Sequence, residues 1–228
     1  MYATVERDVR DQGARLEPAT PTLLVVASGD FGHRVAARLA AGHPGSTVTD
    51  RPVSRPAADI VVLAAGHDRP ALADAVDRAA YAARRPWFPV LLDHPHLRCG
   101  PVVVPGRTAC HDCFQRRRRQ HGGPDTGTVE RPIPGYADHH VGLAVALARR
   151  AVRDAWTPSG ERPGGWVRTV DLVTGTTGRH GVVAVDRCPR CRPPRDHAAR
   201  LDDLAARLRR PGEPGVPDAR REGTGGPA

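Results

Sequence analysis

Lysine is missing from this 228-residue sequence, so its 34 basic residues are all arginine. No lysine amine is available anywhere for Schiff-base chemistry or for gripping a phosphate. Aromatics are scarce, at 4%, so any core must be built from Val, Leu and Ala. No apolar run approaches the length needed to span a bilayer. The N-terminal stretch "MYATVERDVRDQGARLEPATP" is charged and has no apolar signal core, which argues against secretion. Five cysteines are too few for a disulfide scaffold and point to a reduced, cytoplasmic setting.

A chain of this length holds one full domain with a proper core, plus tails. The formal charge is +9. Such a balance favours acidic partners, nucleic acid or anionic peptides, without constraining the fold. A GC-rich coding sequence accounts equally for the abundant Arg, Ala, Gly and Pro.

Residues 1–20 read as a polar arm. "TLLVVAS" (residues 22–28) is a continuous apolar run of strand length, followed by the turn "GDFG" and a helical pattern, "HRVAARLAA", with Val35 and Leu39 on one face. "STVTD" is a short second strand ending at Asp50, and "ADIVVLAAG" (58–66) a third, buried one. "PALADAVDRAAYAAR" (70–84) opens with proline at a first helical position and carries Leu72, Val76 and Ala79 or Ala80 on its inner face. "PWFPVLLD" is a fourth strand. Strands that alternate with helices and read as unbroken apolar runs predict a parallel sheet covered on both faces. Residues 21–93 are therefore expected to form a Rossmann-like half, with the first turn where a nucleotide phosphate meets a helix N-terminus.

Beyond residue 94 the pattern changes. "LRCGPVVVPGRTAC" predicts short strands and a turn. "ADHHVGLAVALARRAVRDAW" (137–156) predicts a helix capped by Asp138, with Val141, Val145, Ala148 and Val152 inside, joined by Leu143 and Leu147. "WVRTVDLVTGTTGRHGVVAVD" (166–186) predicts a hairpin. Residues 193–228 hold a short helical pattern, "HAARLDDLAARLRR", and a Pro/Gly/Arg tail expected to be disordered.

Cys110 and Cys113 form one Cys-x-x-Cys; Cys188 and Cys191 form another. Four thiolates match a closed, tetrahedral structural zinc site, whereas a catalytic zinc would keep an open position or use histidine. The long intervening stretch means the fold, not local sequence, must join the two knuckles. Neither pair opens a helix after the first strand, as a thioredoxin-like redox pair would. Cys99 is left over and reads as a small buried residue. His94 and His96 flank Pro95 at the end of the fourth strand, and His139 and His140 open the long helix. Arg116–Arg119 suit phosphate contacts in a finger, but four consecutive helical residues face four sides and no aromatics interleave for base stacking. They read first as a solvated charge cluster, next as a contact for an acidic peptide, last as a DNA surface.

The order of these parts is specific. A Rossmann-like half, then "GPVVVPGRTACHDC", a helix, a strand pair and "CPRC" together resemble the ThiF/MoeB superfamily, the ubiquitin-activating-enzyme-like fold, across residues 21–192. Within it, "GPVVVPGRTACHDCF" and "VDLVTG…DRCPRC" look most like bacteriocin cyclodehydratase-domain proteins, the TOMM precursor leader peptide-binding partners of azole-forming peptide pathways. The resemblance implies an α/β, mostly parallel Rossmann-like sheet (21–93) with a zinc-stapled helix-hairpin half (94–192). It implies structural zinc on Cys110, Cys113, Cys188 and Cys191. It also implies a precursor or leader peptide and an ATP-dependent cyclodehydratase-type enzyme as partners. Family members often dimerise, though this sequence carries no independent sign of it.

Set against the active enzymes of that superfamily, the chain departs in four places. Their Gly-x-Gly-Gly-x-Gly turn corresponds to "ASGDFG", which keeps Gly29 and Gly32 but puts Ala27 and Asp30 where glycines stand, and Asp30 would face polyphosphate with like charge. Asp50 matches the ribose-binding acid. The Asn/Arg-bearing segment that grips ATP is replaced by "RPVSRPAA". The required lysine is absent, and the catalytic aspartate maps onto Gly66, with Asp68 two positions on. Gly29, Gly32 and Asp50 are thus expected to be the remnant of a nucleotide site, with no catalytic residue assigned and ATP not expected. The winged-helix module that grips the leader peptide in longer relatives is not expected in the short stretch before the first strand. The expectation is a binding scaffold. The alternatives are a ThiF-type adenylyltransferase and a basic zinc protein that binds nucleic acid.

Overall fold

The computed structural model describes residues 20–121, 135–156 and 165–191. The expected N-terminal arm (but for its last residue) and the C-terminal helix and tail lie outside them. Seven strands, β1 (Leu23–Ser28), β2 (Thr47–Thr49), β3 (Ile60–Ala65), β4 (Trp87–Asp93), β5 (His96–Cys99), β6 (Trp166–Asp171) and β7 (Thr177–Gly181), make one sheet in the order β2-β1-β3-β4-β5-β6-β7. The helices are α1 (Gly29–Ala40), α2 (Pro70–Ala82), α3 (His111–Gln120) and α4 (Asp138–Trp156).

The first four strands pair in parallel, and β4 to β7 continue the sheet antiparallel. The unbroken apolar runs follow from two-sided burial. Leu23, Val25, Ile60, Val62, Phe88 and Val90 face the cluster that holds α1 and α4. Their alternates Leu24, Val26, Val61, Leu63 and Trp87 face α2. Because strand side chains alternate, both sets must be apolar.

Local readings need three adjustments. Asp138 is not a cap: it lies in the first turn of α4, and its carboxylate pairs with Arg34 and Arg38 of α1. Leu143 does not widen the inner face of α4; it is exposed, and Ala144 and Ala151 take that place. Small side chains suit the surface where α4 meets α1. On α2 the buried set is Ala73, Val76, Asp77 and Ala80, so the inner face carries a carboxylate. Among the described residues no helix is long and apolar enough to cross a membrane.

Candidate functional site

The first Cys-x-x-Cys opens α3. Cys110 is its N-cap residue in extended conformation, and Cys113 lies in the first turn. A helix N-terminus carries partial positive charge from unpaired N–H groups, which favours thiolate over thiol. The second pair follows the β6–β7 hairpin, where the chain turns back against α2 and α3.

All four sulfurs lie within 4.8 Å of one another. The Sγ separations are 3.7 Å for Cys110–Cys113, 3.7 Å for Cys110–Cys188 and 3.5 Å for Cys113–Cys191. A tetrahedron of sulfurs at the usual Zn–S bond length of about 2.3 Å has edges of about 3.8 Å. The cluster therefore fits a tetrahedral ion, and zinc matches the all-sulfur donor set. Cys110, Cys113 and Cys188 are buried among Ala109, Tyr81, Val182, Ala184 and Val185, which closes the site to a substrate. The Val185 N–H donates to Cys113 Sγ at 3.3 Å. Burial pushes the Cys188 thiol up, but backbone N–H groups of Cys191 and Arg190, together with the neighbouring cysteines, more than offset it and leave about 7. Burial wins at Cys191, at about 11, and lifts Cys110 further still. A dication would reverse that balance by favouring all four thiolates.

His111, next to Cys110 in sequence, is not part of the cluster. Its ring packs against Trp87, with centroids 5.1 Å apart, and its Nε2 meets Gln115 Nε2 at 3.0 Å. Burial holds it near pKa 3, neutral at physiological pH.

Polar contacts anchor the second knuckle to α2. Arg190 ion-pairs with Asp77 and donates to the Asp77 carbonyl at 3.0 Å, and its guanidinium lies 4.2 Å from the Tyr81 ring centroid. The Tyr81 hydroxyl donates to the Arg190 carbonyl at 2.7 Å, and Trp87 Nε1 donates to Asp77 Oδ1 at 2.8 Å. Sequence reasoning missed this set because Asp77 sits in an otherwise ordinary amphipathic pattern. Its one signal was an acid on the inner face of α2.

The glycine turn lies at the other end of the parallel strands. Gly29 has φ +71°, and nothing approaches the place a Cβ would occupy. Gly32 is buried, and a Cβ there would stand 2.3 Å from the Ala64 carbonyl oxygen. Its observed role is the close approach of α1 to β3, the packing task of the last glycine in such turns. Asp50, just past β2, is exposed. It does not line the small cavity beside the turn, of about 180 Å³, which Gly29, Asp30, Phe31, Gly66 and Tyr136 border. Tyr136 stands over the turn, its hydroxyl bonded to the Asp30 carboxylate and its ring edge-on to Phe31 with centroids 5.1 Å apart. Pockets for small ligands commonly run to about 300 Å³ or more, so this opening is undersized.

Of the remaining sequence candidates, Cys99 is buried, with its thiol pushed up to about 12 by that burial, which is the opposite of an activated nucleophile. Asp68 is drawn away from the glycine turn. Its Oδ2 accepts from Arg98 at 3.3 Å and Arg118 at 3.0 Å. The arginine run divides in the same way: Arg116 pairs with Asp112 at 2.9 Å, and Arg118 with Asp68.

No family model and no curated protein matches the sequence. Solved structures match the fold. A heterocyclase in complex with substrate and cofactor aligns with 78% of this chain at 18% identity and a TM-score of 0.54. A chain of the E. coli microcin synthetase McbBCD complex aligns with 77% at 11% identity and a TM-score of 0.55. The same complex with pro-MccB17 bound aligns with 78% at 13% identity and a TM-score of 0.50. The matched parts make up 26%, 70% and 72% of those chains, so this chain spans about a quarter of the heterocyclase's length. At these identities the likeness is one of fold.

Proposed function

We propose that this chain is a zinc-stapled accessory protein that docks a ribosomally made precursor peptide for a partner modifying enzyme of the ATP-dependent cyclodehydratase type. One observation carries the reading: the four-sulfur cluster is assembled, while the glycine turn carries an exposed Tyr136–Asp30 contact beside an undersized cavity. The knuckles meet at distances that suit zinc, and Tyr136 with Asp30 stands where phosphates would approach. Adenylation depends on positioning polyphosphate and neutralising its charge. Here a carboxylate lines the turn and no lysine exists to offset it. The fold shared with a heterocyclase and a microcin synthetase supports peptide modification as the setting.

ATP–pyrophosphate exchange with the precursor peptide separates this reading from adenylation: the expected signal is background, and robust exchange would overturn the reading. Immobilised protein is expected to retain a precursor peptide of such a pathway, and to raise heterocycle formation when added to the partner enzyme. Retention of random-sequence DNA in place of the peptide, lost on raising salt, would favour a nucleic-acid role instead.

A further inference from the structure

A second opening lies away from the glycine turn, between α3 and the β6–β7 hairpin. It is a cleft of about 620 Å³, lined on its apolar side by Phe114, Val167 and Val182 and on its charged side by Arg98, Arg117 and Arg118. No acidic side chain among the described residues lines it. Its volume is within the range of ligand-sized pockets.

The charge bookkeeping of this cleft is unbalanced. Arg98 is 7% exposed and donates to the Gly100 carbonyl at 3.2 Å. Among the described residues its ion-pair partner is Asp68, whose Oδ2 is shared with Arg118. Two guanidinium groups therefore rest on one carboxylate oxygen. Both also stand over the Phe114 ring, 5.3 Å and 5.9 Å from its centroid. Among the described residues Arg117 meets the neutral Gln120 Oε1, at 3.1 Å, and its Nε is buried without a partner there. Buried or half-buried cations in excess of their counter-ions are costly unless an anion completes the set. A planar guanidinium with free N–H groups matches a carboxylate bidentately.

The apolar side limits what that anion belongs to. Val183, at the rim, is 66% exposed, and with Phe114, Val167 and Val182 it makes one side of the cleft apolar, while Thr169, His121 and His180 join the arginines in the rest of the lining. A bare inorganic anion would leave this surface wet. A nucleic-acid strand would need stacking platforms; Phe114 is already covered by two guanidinium groups, and the other rings lining the cleft are the small imidazoles of His121 and His180. A polypeptide segment with a carboxylate next to an apolar side chain satisfies both sides at once.

We infer that the cleft between α3 and the β6–β7 hairpin is a docking site for an acidic segment of a partner polypeptide, with a Glu or Asp carboxylate on Arg117 and Arg118 and a neighbouring apolar side chain against Phe114, Val167 and Val182. The choice of a polypeptide rests on the peptide-docking reading; the carboxylate rests on the charge imbalance alone.

The test uses the full chain and a fluorescein-labelled hexapeptide of alternating Leu and Glu, with the Leu-Gln hexapeptide as control, read by fluorescence anisotropy. The Leu-Glu probe is expected to bind at least about tenfold more tightly than Leu-Gln, as charge-assisted recognition requires. Arg117→Glu with Val183→Asp, two partly exposed positions, should abolish that preference while metal content and Tm stay at wild-type values. Equal binding of both probes, or a preference that survives the double variant, overturns the inference. So does full displacement of the probe by an equal concentration of single-stranded oligonucleotide, which would mark a general polyanion surface. Dimer dissociation caused by the same variant, without probe binding to either form, would assign the cleft to a second copy and overturn it too. Failure of the docking reading is seen separately. In that case the precursor is not retained by wild-type protein although the Leu-Glu probe still binds.

Discussion

The sulfur cluster and the glycine turn flank the same sheet and have opposite fates. At the cluster, residues 78 positions apart (Cys110 with Cys188, Cys113 with Cys191) meet within bonding reach of one ion. At the turn, residues adjacent in sequence keep their backbone shape, with Gly29 at positive φ and Gly32 packed on Ala64, but a tyrosine from far along the chain is bonded to the Asp30 carboxylate there. The contrast teaches that a motif's backbone and its opening are separate properties. Gly32 is required by helix packing whether or not anything binds, so the turn persists without a ligand. The cysteines also pack together, but packing alone does not require four sulfurs at the spacing that fits one metal ion.

That contrast is most directly broken at a sulfur. Purified protein is expected to hold about one zinc per chain, and Cys188→Ser should lose it and unfold below 37 °C, because metal binding in such sites is folding free energy. Metal analysis with circular dichroism reads both, and unchanged zinc content would remove the four-sulfur site. Arg190→Ala tests the anchor of the same knuckle. It strands the 3%-exposed Asp77 carboxylate and should cost about 3 kcal/mol. The loss should depend on pH. Burial already pushes Asp77 above the usual carboxylate range, and Arg190 opposes that. A carboxyl raised in the fold contributes stability below its unfolded value, and that contribution is lost as pH rises through the folded one. The variant should therefore lose more Tm at neutral pH than near the ordinary carboxylate pKa of about 4, a difference that Asp77→Asn in the same background should erase.

At the turn the effects are expected to be smaller. Gly32→Ala forces a Cβ into the Ala64 carbonyl and should destabilise by about 2 kcal/mol, read by urea titration. A neutral outcome would mean α1 lifts from β3 freely. Tyr136→Ala removes the cover and one edge-on ring contact, at a cost of about 1 kcal/mol. Mg-ATP should raise the Tm of neither wild type nor this variant. A shift in the variant alone would show that Tyr136 is the sole obstacle and that Asp30 does not oppose phosphate.

The sheet was legible because its strands are buried on both faces and carry no polar interruption: Leu23 to Ala27, Ile60 to Ala65 and Trp87 to Leu92. A hairpin was legible from the glycine turn, but its second strand is Thr177–Gly181 and the β-branched run Val182–Val185 lies past it; the four-cysteine cluster was legible from paired spacing. Other features depend on partners that no local pattern marks. Asp77 looks like any helical acid until Arg190, 113 positions on, reaches it. Tyr136 covers Asp30 across 106 positions. Asp68 reads as a displaced catalytic acid in the sequence, yet it serves as counter-ion to Arg98 and Arg118. The arginine run illustrates the limit of composition: four identical residues in a row take different partners because a helix points them in different directions.

The separation between the knuckles also orders events in time. A chain made from its N-terminus completes β1 to β4, α2 and the first cysteine pair long before Cys188 emerges. Until then Cys110 and Cys113 offer an ion only two of its four sulfurs, and Tyr81 and Asp77 lack the Arg190 contacts that close the knuckle. Closing so long a loop is entropically costly and comes late. Metal capture by the four sulfurs would then report that translation has passed residue 191, and a chain truncated before that point should be an unmetallated, protease-sensitive product.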